Sequence, residues 1–152
     1  PKYIFEQKKE KRISFLDGLF SSEIAVPSFK EDNRGNRVKR FTNFQFGMSK
    51  IDSLEKEHRQ FLLELISLSN SVGVTFTPNI RKDNTRITLK KSGNISYGYR
   101  IFLQTHFEKV AYFNKIFPLR YSSEKKFRFD KQLNEAIAYR KWKGTYWKHH
   151  IF

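Results

Sequence analysis

The sequence predicts an α+β fold with an antiparallel sheet, in one domain that covers residues 1–152. Four stretches place apolar residues at helical spacing, at 5–23, 52–72, 106–117 and 126–142. Between the first three lie short runs in which apolar and polar residues alternate, bounded by turns rich in Gly, Asn and Pro. A chain of 152 residues buries roughly two-thirds of its unfolded surface, so one core accommodates these elements.

The charge and composition of the chain favour some classes of function and exclude others. Lys and Arg number 30 against 15 Asp and Glu, which gives a net charge of +15. Such an excess on a small domain indicates a polyanionic partner, and nucleic acid is the commonest one. The chain has no cysteine, which excludes disulfides, cysteine-based zinc sites and thiol nucleophiles. No apolar run approaches the ~20 residues of a membrane span. We therefore expect a soluble intracellular protein, cytoplasmic or organellar, with no membrane partner.

The first helix, predicted from about Phe5 to Glu23, carries the most distinctive pattern of the chain. Ser14, Gly18 and Ser22 are four residues apart and therefore share one helix face. Small residues at that spacing let a second helix approach closely. Glu23 then places a carboxylate at the point where two such helices would end. The same spacing also fits an ordinary amphipathic helix with an acid at its surface.

Two strands joined by a hairpin are predicted to follow this helix. The first covers 24–29, where Pro27 confines it to a sheet edge or a bulge. Residues 30–39 are polar and basic and have the Asn and Gly content of a hairpin tip. The second strand covers 38–48 and directs its apolar residues to one face and its polar residues to the other.

A second helix is predicted to open within 49–54 and to end at Gly73. Asp52 or Ser53 is the expected N-cap. His58 lies between charged neighbours and is expected to be solvated.

The second half of the chain repeats the order of strands and helix. Strands are predicted at 74–80, 85–90 and 97–104, the last two forming a hairpin through a turn that contains Gly93. A third helix follows at 106–117 and ends before Pro118, since the residue before a proline disfavours helical geometry.

The chain ends in a helix predicted over 126–142 and a tail at 139–148 in which aromatic residues alternate with Lys and Arg. Such interleaving suits stacking on bases and contacts to phosphates. Docking of the aromatic residues onto the domain is the alternative interpretation, and it is the one we favour.

Polar and basic residues on the predicted strands suggest a nucleic-acid interface. A two-stranded β-ribbon fits the major groove of DNA, and a polar strand face beside a basic hairpin has the required character. A solvated sheet face is the alternative. The residues assigned to this interface are Arg40, Thr42, Gln45, Lys50, Arg86, Thr88 and Lys90.

The stretch LDGLFSSE, which ends at Glu23, resembles the signature motif of the LAGLIDADG homing endonucleases. Gly18 and Ser22 fall on the motif's close-packing positions, and Glu23 falls on its metal-binding acid. The motif's first alanine is Asp17 in this chain, and the glycine after its acid is Ile24. The predicted order of elements is similar to the α-β-β-α-β-β-α unit of that family and covers nearly the whole chain.

The resemblance implies a DNA endonuclease built from two units, either a homodimer or two halves of one polypeptide. This chain would be a single-motif unit or the C-terminal half of a two-motif protein. In that family the signature helices form the interface between units, and the two sheets form a saddle over double-stranded DNA. Each helix supplies one acid, here Glu23, to sites that share Mg²⁺ or another divalent cation at the scissile phosphates. The resemblance also implies a supporting polar residue at Ser49 and a catalytic lysine at Lys125 or Lys126.

Three classes of function follow from these patterns. A site-specific DNA endonuclease is the one we expect. A nucleic-acid-binding relative without cleavage, such as an intron-splicing maturase or a ribosome component that binds RNA, is the alternative, and Ile24 and Ser49 leave room for it. A protein-interaction domain is disfavoured by the net charge of +15. Serine, cysteine and zinc hydrolase chemistry has no support, because the four histidines, at 58, 106, 149 and 150, are not spaced as a site.

Overall fold

A computed structural model of the protein describes the backbone of residues 2–31 and 38–151, and the side chains of all of these except 85, 86 and 145–151. Short 3₁₀ turns at Lys2–Glu6 and Asp52–Leu54 precede the first and second helices. The α+β class predicted from the sequence is confirmed. The main elements of the described part of the chain are α1 (Lys9–Glu23), β1 (Ile24–Ala25), β2 (Ser28–Glu31), β3 (Lys39–Thr42), β4 (Gln45–Ile51), α2 (Glu55–Ser71), β5 (Phe76–Leu89), β6 (Ile95–Leu103), α3 (Phe107–Ile116) and α4 (Ser123–Ile151).

The first two predicted strands form one hairpin that bends in the middle. β1 pairs with β4 and β2 pairs with β3 in one continuous register, so the two pairs are the two halves of the same hairpin. Pro27 interrupts one arm because it has no N–H to donate, and Asn43 interrupts the other with a φ of 63°. β1, which precedes Pro27, is an edge strand as predicted, but the strands predicted as continuous at 24–29 and 38–48 are each divided in two. The predicted tip falls on residues 32–37, which lie outside the described residues.

The main sheet has four antiparallel strands in the order β1-β4-β6-β5. The two predicted strands at 74–80 and 85–90 are a single strand, β5, so their separation was wrong. The register of β5 shifts between Asp83 and Ile87, and an irregularity of this kind lets a long strand bend without ending. The predicted hairpin through Gly93 is confirmed, and that glycine has the φ of +85° that the turn requires.

All four helices contribute buried residues to the core beside one face of the main sheet, and Phe20 of α1 lies at the centre of the packing. Its ring centroid is 5.0 Å from that of Phe117, 5.2 Å from that of Phe113 and 6.0 Å from that of Phe46. Phe20 and Leu16 are completely buried. These contacts fix the rotation of α1 about its own axis, and they therefore determine which of its residues remain outside the core.

Helical structure begins with the 3₁₀ turn at Asp52, within the predicted range of 49–54, but residues 49–51 belong to a strand. β4 continues through Ile51, because Lys50 and Ile51 still pair with β6, and α2 begins only at Glu55. Neither the start of α2 nor the turn before it has a side-chain cap, so Asp52 and Ser53 do not act as N-caps.

The prediction that His58 is solvated was also wrong. The side chain is 2% exposed, stacks on Phe61 and meets Tyr99 edge-on. Burial, together with the nearby charges of Lys50 and Arg59, lowers the pKa of His58 to about 4. His58 lies four positions before Leu62 and seven before Leu65, which are buried residues of α2. This helical spacing was the signal that could have placed His58 on the inner face of the helix.

The last two helices are close to their predicted positions. α3 covers Phe107–Ile116, whereas α4 begins at Ser123 and extends beyond the predicted end at 142. Tyr139 of α4 docks on Phe29, with ring centroids 5.6 Å apart, which confirms docking for this aromatic residue of the tail. No helix among the described residues combines the length and apolar character that a membrane crossing requires.

Candidate functional site

Glu23 is the last residue of α1, and the chain passes from it directly into β1. The next residue, Ile24, is buried and extended, with φ −75° and ψ 136°, and its N–H donates to the carbonyl oxygen of Phe20. Any L-residue adopts that conformation, so a glycine is not required after the acid in this chain. Because β1 pairs with β4, the exposed Glu23 side chain stands at the edge of the main sheet.

The face of the main sheet that points away from the helices, which we call the open face, is defined by the strand register. Residues directly opposite each other in an antiparallel pair project to the same side. The cross-strand rows of the open face are Gln45 with Phe102; Gly47 with Arg100 and Arg81; Ser49 with Gly98 and Asp83; and Ile51 with Ser96 and Thr88.

A pocket of about 260 Å³ on the open face joins the end of α1 to the middle of the sheet. Glu23, Gln45 and Ser49 all line it, so the structure brings together three residues that the sequence analysis assigned to different roles. Gly47 and Gly98 also line the pocket and leave those parts of its wall without side chains. The Glu23 carboxylate therefore borders a concave polar surface rather than standing alone in solvent.

Arg100 also lines this pocket, and the sequence analysis did not assign it. Its Nη2 donates to Oδ2 of Asp83 at 2.9 Å, and its Nη1 donates to Oε1 of Gln45 at 3.3 Å. The alternation within 97–104 could have revealed Arg100, because it places this residue opposite the apolar face of β6. Asp83 had no such signal, since it lay between two predicted strands.

Lys125 lies close to the candidate acid. Its Nζ donates to the carbonyl oxygen of Ser22, the residue before Glu23, at 2.8 Å. Partial burial lowers the pKa of Lys125, although the negative charge of Glu23 acts in the opposite direction. An ammonium group thus stands beside the end of α1, where its charge also interacts favourably with the helix dipole.

Lys126 has a different environment. Its Nζ donates to the carbonyl oxygen and side-chain oxygen of Asn114, at 2.6 and 2.7 Å, and to the carbonyl oxygen of Phe117 at 3.0 Å. These groups lie at the C-terminal end of α3, where carbonyl oxygens lack partners within the helix. Of the two lysines named from the sequence, Lys126 is engaged in capping α3, and Lys125 is the one beside Glu23.

The remaining residues of the predicted interface do not share one surface. Arg40 and Thr42 lie on β3, beyond the bend of the hairpin, where the Thr42 hydroxyl group donates to the carbonyl oxygen of Ser28 at 3.5 Å. Thr88 is exposed on the open face, and Lys90 is exposed at the end of β5. Arg86 was also predicted to contact nucleic acid, but its side chain lies outside the described ones.

Lys50 lies on the opposite side of the sheet from Gln45 and Ser49. The alternation of β4 directs it toward α2, where it lines a second pocket together with His58. Lys50 was predicted to contact nucleic acid together with Gln45, after a strand that was predicted to end at residue 48. Continuation of β4 to Ile51 places Lys50 on the helix side instead.

The small residues of α1 lie along a face that points away from the core. Ser14 and Ser22 are exposed, and Gly18 is partly buried. Tyr121 borders this face: a Cβ atom added to Gly18 would lie 3.8 Å from its Cε2 atom, which is ordinary contact. Arg120 and Lys125 donate to the carbonyl oxygens of Ser14 and Ser22, so the loop before α4 and the start of α4 lie along one side of this face.

Asp17 fixes the loop that connects α3 to α4. It is 1% exposed, and its Oδ1 accepts a hydrogen bond from the Leu119 N–H at 2.7 Å. Its Oδ2 accepts from the N–H of Arg120 at 3.2 Å and lies 3.4 Å from the Arg120 Nε. The loop places Tyr121 beside Gly18 and starts α4, so Asp17 indirectly sets the position of Lys125.

The oxygen atoms around Glu23 suit a hard divalent cation. Mg²⁺ binds oxygen ligands and retains several waters, and the pocket offers the exposed Glu23 carboxylate and the Ser49 hydroxyl group, while the Gln45 amide oxygen already accepts a hydrogen bond from Arg100. Within the part of the chain that the structure describes, no three His, Cys, Asp or Glu side chains form a group that could hold a metal ion. A cation at Glu23 would therefore take its other ligands from water, from phosphate or from a second chain.

Comparisons of the chain with protein-family models, with curated proteins and with solved structures gave no match. The fold and site by themselves define a strongly cationic α+β protein that presents a carboxylate at the edge of an open antiparallel sheet face.

Proposed function

We propose that the chain is a LAGLIDADG-type unit of a site-specific DNA endonuclease, which makes metal-dependent double-strand cuts when it is paired with a second unit. The observation that carries the proposal is the place of Glu23. This residue ends α1, lines the pocket of the open face and adjoins the small-residue face of the same helix. Pairing of two units through that face would bring two carboxylates together, one for each DNA strand.

The roles of the residues follow from their places around the pocket. Glu23 would hold the divalent cation, which when bound activates a water molecule and stabilises the departing oxygen of the phosphate. The Lys125 ammonium group beside the end of α1 would stabilise negative charge that develops on that phosphate. Gln45 and Ser49 supply hydrogen-bonding groups that orient solvent in the pocket.

Binding of double-stranded DNA is the first test of the proposed function. With a net charge of +15, the protein should neutralise several phosphates and release their counterions. We expect the affinity to fall several hundred-fold or more between roughly 50 and 200 mM salt, measured by fluorescence anisotropy with labelled duplexes. An affinity that stays constant over this range would contradict an electrostatic interface. Parallel titrations with RNA, and a cleavage assay with Mg²⁺, distinguish the endonuclease from the RNA-binding relative that does not cut.

Substitution of the two adjacent lysines should separate a structural role from a chemical one. Lys126→Ala removes three hydrogen bonds at the end of α3, and we expect the free energy of unfolding in urea to fall by about 1.5–3 kcal/mol. Lys125→Ala should change that free energy by less than about 1 kcal/mol and slow DNA cleavage at saturating Mg²⁺. Equal effects of the two substitutions on cleavage, after correction for the folded fraction, would exclude a distinct role for Lys125.

Gly18→Leu tests the pairing of units through α1. The nearest atom to a Cβ at this position is 3.8 Å away, so the substitution should leave the single unit folded, with unchanged helix content by circular dichroism. The added side chain should separate the facing helix and weaken association about tenfold or more, measured by sedimentation. Lys131→Leu on α4 adds the same apolar surface at an exposed position and is the matched control. If both variants assemble like the parent, the small-residue face is not the interface.

A further inference from the structure

Arg100 occupies the centre of the open face, and its guanidinium group is held from two sides. Asp83 accepts a hydrogen bond from Nη2 at 2.9 Å, and Gln45 accepts one from Nη1 at 3.3 Å. The side chain of Arg100 retains 15% of its exposure, whereas that of Asp83 retains 7%. The arginine is therefore fixed in place and still lines the pocket that Glu23 borders.

Two glycines keep the surface around this arginine low. Gly47 lies directly across from Arg100, and a Cβ atom there would come within 3.4 Å of the Arg100 Cγ. Gly98 lies across from Asp83 on the neighbouring strand and projects no side chain onto the open face. Glycines within strands often mark places where a ligand approaches closely. On the side of these two glycines the edge of a base pair could come near the guanidinium group, which Phe102 and Arg81 flank elsewhere on the open face.

The fixed guanidinium group keeps donors available for recognition. Each terminal nitrogen carries two N–H groups, and the bonds to Asp83 and Gln45 use one on each. A free arginine loses side-chain entropy when it is immobilised, but Arg100 is already held in the unbound protein. A planar pair of donors matches the O6 and N7 acceptors of guanine, which is the commonest specific contact in the major groove.

The neighbouring carboxylate favours a base over a phosphate. Asp83 largely neutralises Arg100 and would repel a phosphate brought to the same place. The acceptors of guanine are uncharged and meet no such repulsion. We propose that Arg100 is a specificity residue that recognises one guanine in the DNA major groove, and that Asp83 and Gln45 are positioning residues that orient it. The inference rests on the proposed binding of DNA by the open face.

The test is selection of bound sequences from a randomised DNA duplex library, compared between the parent and three variants. We expect the parent to select a guanine at one position of each half-site. Arg100→Lys, which keeps the charge but not the planar donors, should reduce that preference about tenfold, and Asp83→Asn should weaken it at the same position. Arg59→Lys is the matched control, since Arg59 is a partly exposed arginine on α2, which packs on the other side of the sheet. It should leave the preference at that position unchanged.

The outcomes distinguish this inference from the proposed function. If the parent selects a site and Arg100→Lys retains every base preference, the inference is overturned and the ion pair is structural. If the parent binds DNA without selecting any sequence, both the inference and the site specificity of the proposed function fail. If it binds no DNA, the proposed function fails together with the inference. Should Arg100→Lys not fold, as judged by circular dichroism, the Asp83→Asn variant decides the same question at the same position.

Discussion

Glu23→Gln is expected to abolish Mg²⁺-dependent cleavage of DNA while leaving DNA binding unchanged or slightly stronger. The substitution keeps the size of the side chain but removes the charge that would hold the cation. A bound cation contributes several kcal/mol to stabilising the transition state, so the rate should fall by about a thousand-fold or more. Binding should persist because its energy comes from many dispersed cationic residues, and loss of a carboxylate near phosphates relieves repulsion.

The measurement is the rate of plasmid linearisation, with a target sequence obtained from the selection experiment and Mg²⁺ in excess. Glu10→Gln is the matched control, because Glu10 is an exposed acid on the same helix, far from the pocket. A Glu23→Gln protein that cuts as fast as the parent would show that this carboxylate is not the metal-binding acid. A parent that binds DNA but never cuts it with Mg²⁺ or Mn²⁺ would point to the binding-only relative.

Asp17→Ala is expected to cause the largest loss of stability among single substitutions around the site. The buried carboxylate accepts hydrogen bonds from the N–H groups of Leu119 and Arg120, and alanine would leave both donors without it. Leaving a buried donor without a partner costs about 1–3 kcal/mol, so the loss of both hydrogen bonds should lower the free energy of unfolding in urea by about 2–5 kcal/mol. The loop between α3 and α4 should also become more mobile in this variant.

Two further variants make this result specific. Asp17→Asn keeps an acceptor oxygen for one of the two N–H groups and should cost less than Asp17→Ala. Asp52→Ala removes a carboxylate that is 60% exposed and faces Lys82, so it should cost less than about 1 kcal/mol. An Asp17→Ala protein as stable as the Asp52→Ala protein would mean that the loop holds its position without the buried carboxylate.

The local architecture around the site could be predicted from the sequence. The end of α1 at Glu23, the shared face of Ser14, Gly18 and Ser22, and the edge position of the strand beside Pro27 were all predicted. These features depend on the periodicity of a few neighbouring residues or on the missing N–H of proline, and both are local properties of the chain.

Only the tertiary structure decided which chemical groups meet. The pairing of Asp83 with Arg100 depends on the register of β5 against β6, which two predicted fragments of β5 could not define. The difference between Lys125 and Lys126 depends on where α4 docks, since adjacent residues of a helix point in directions about 100° apart. Lys50 lies on the helix side of the sheet and not on the predicted side with Gln45, because β4 extends past it. Strand register and helix rotation are set by contacts between residues distant in sequence, so a pattern read along the chain does not contain them.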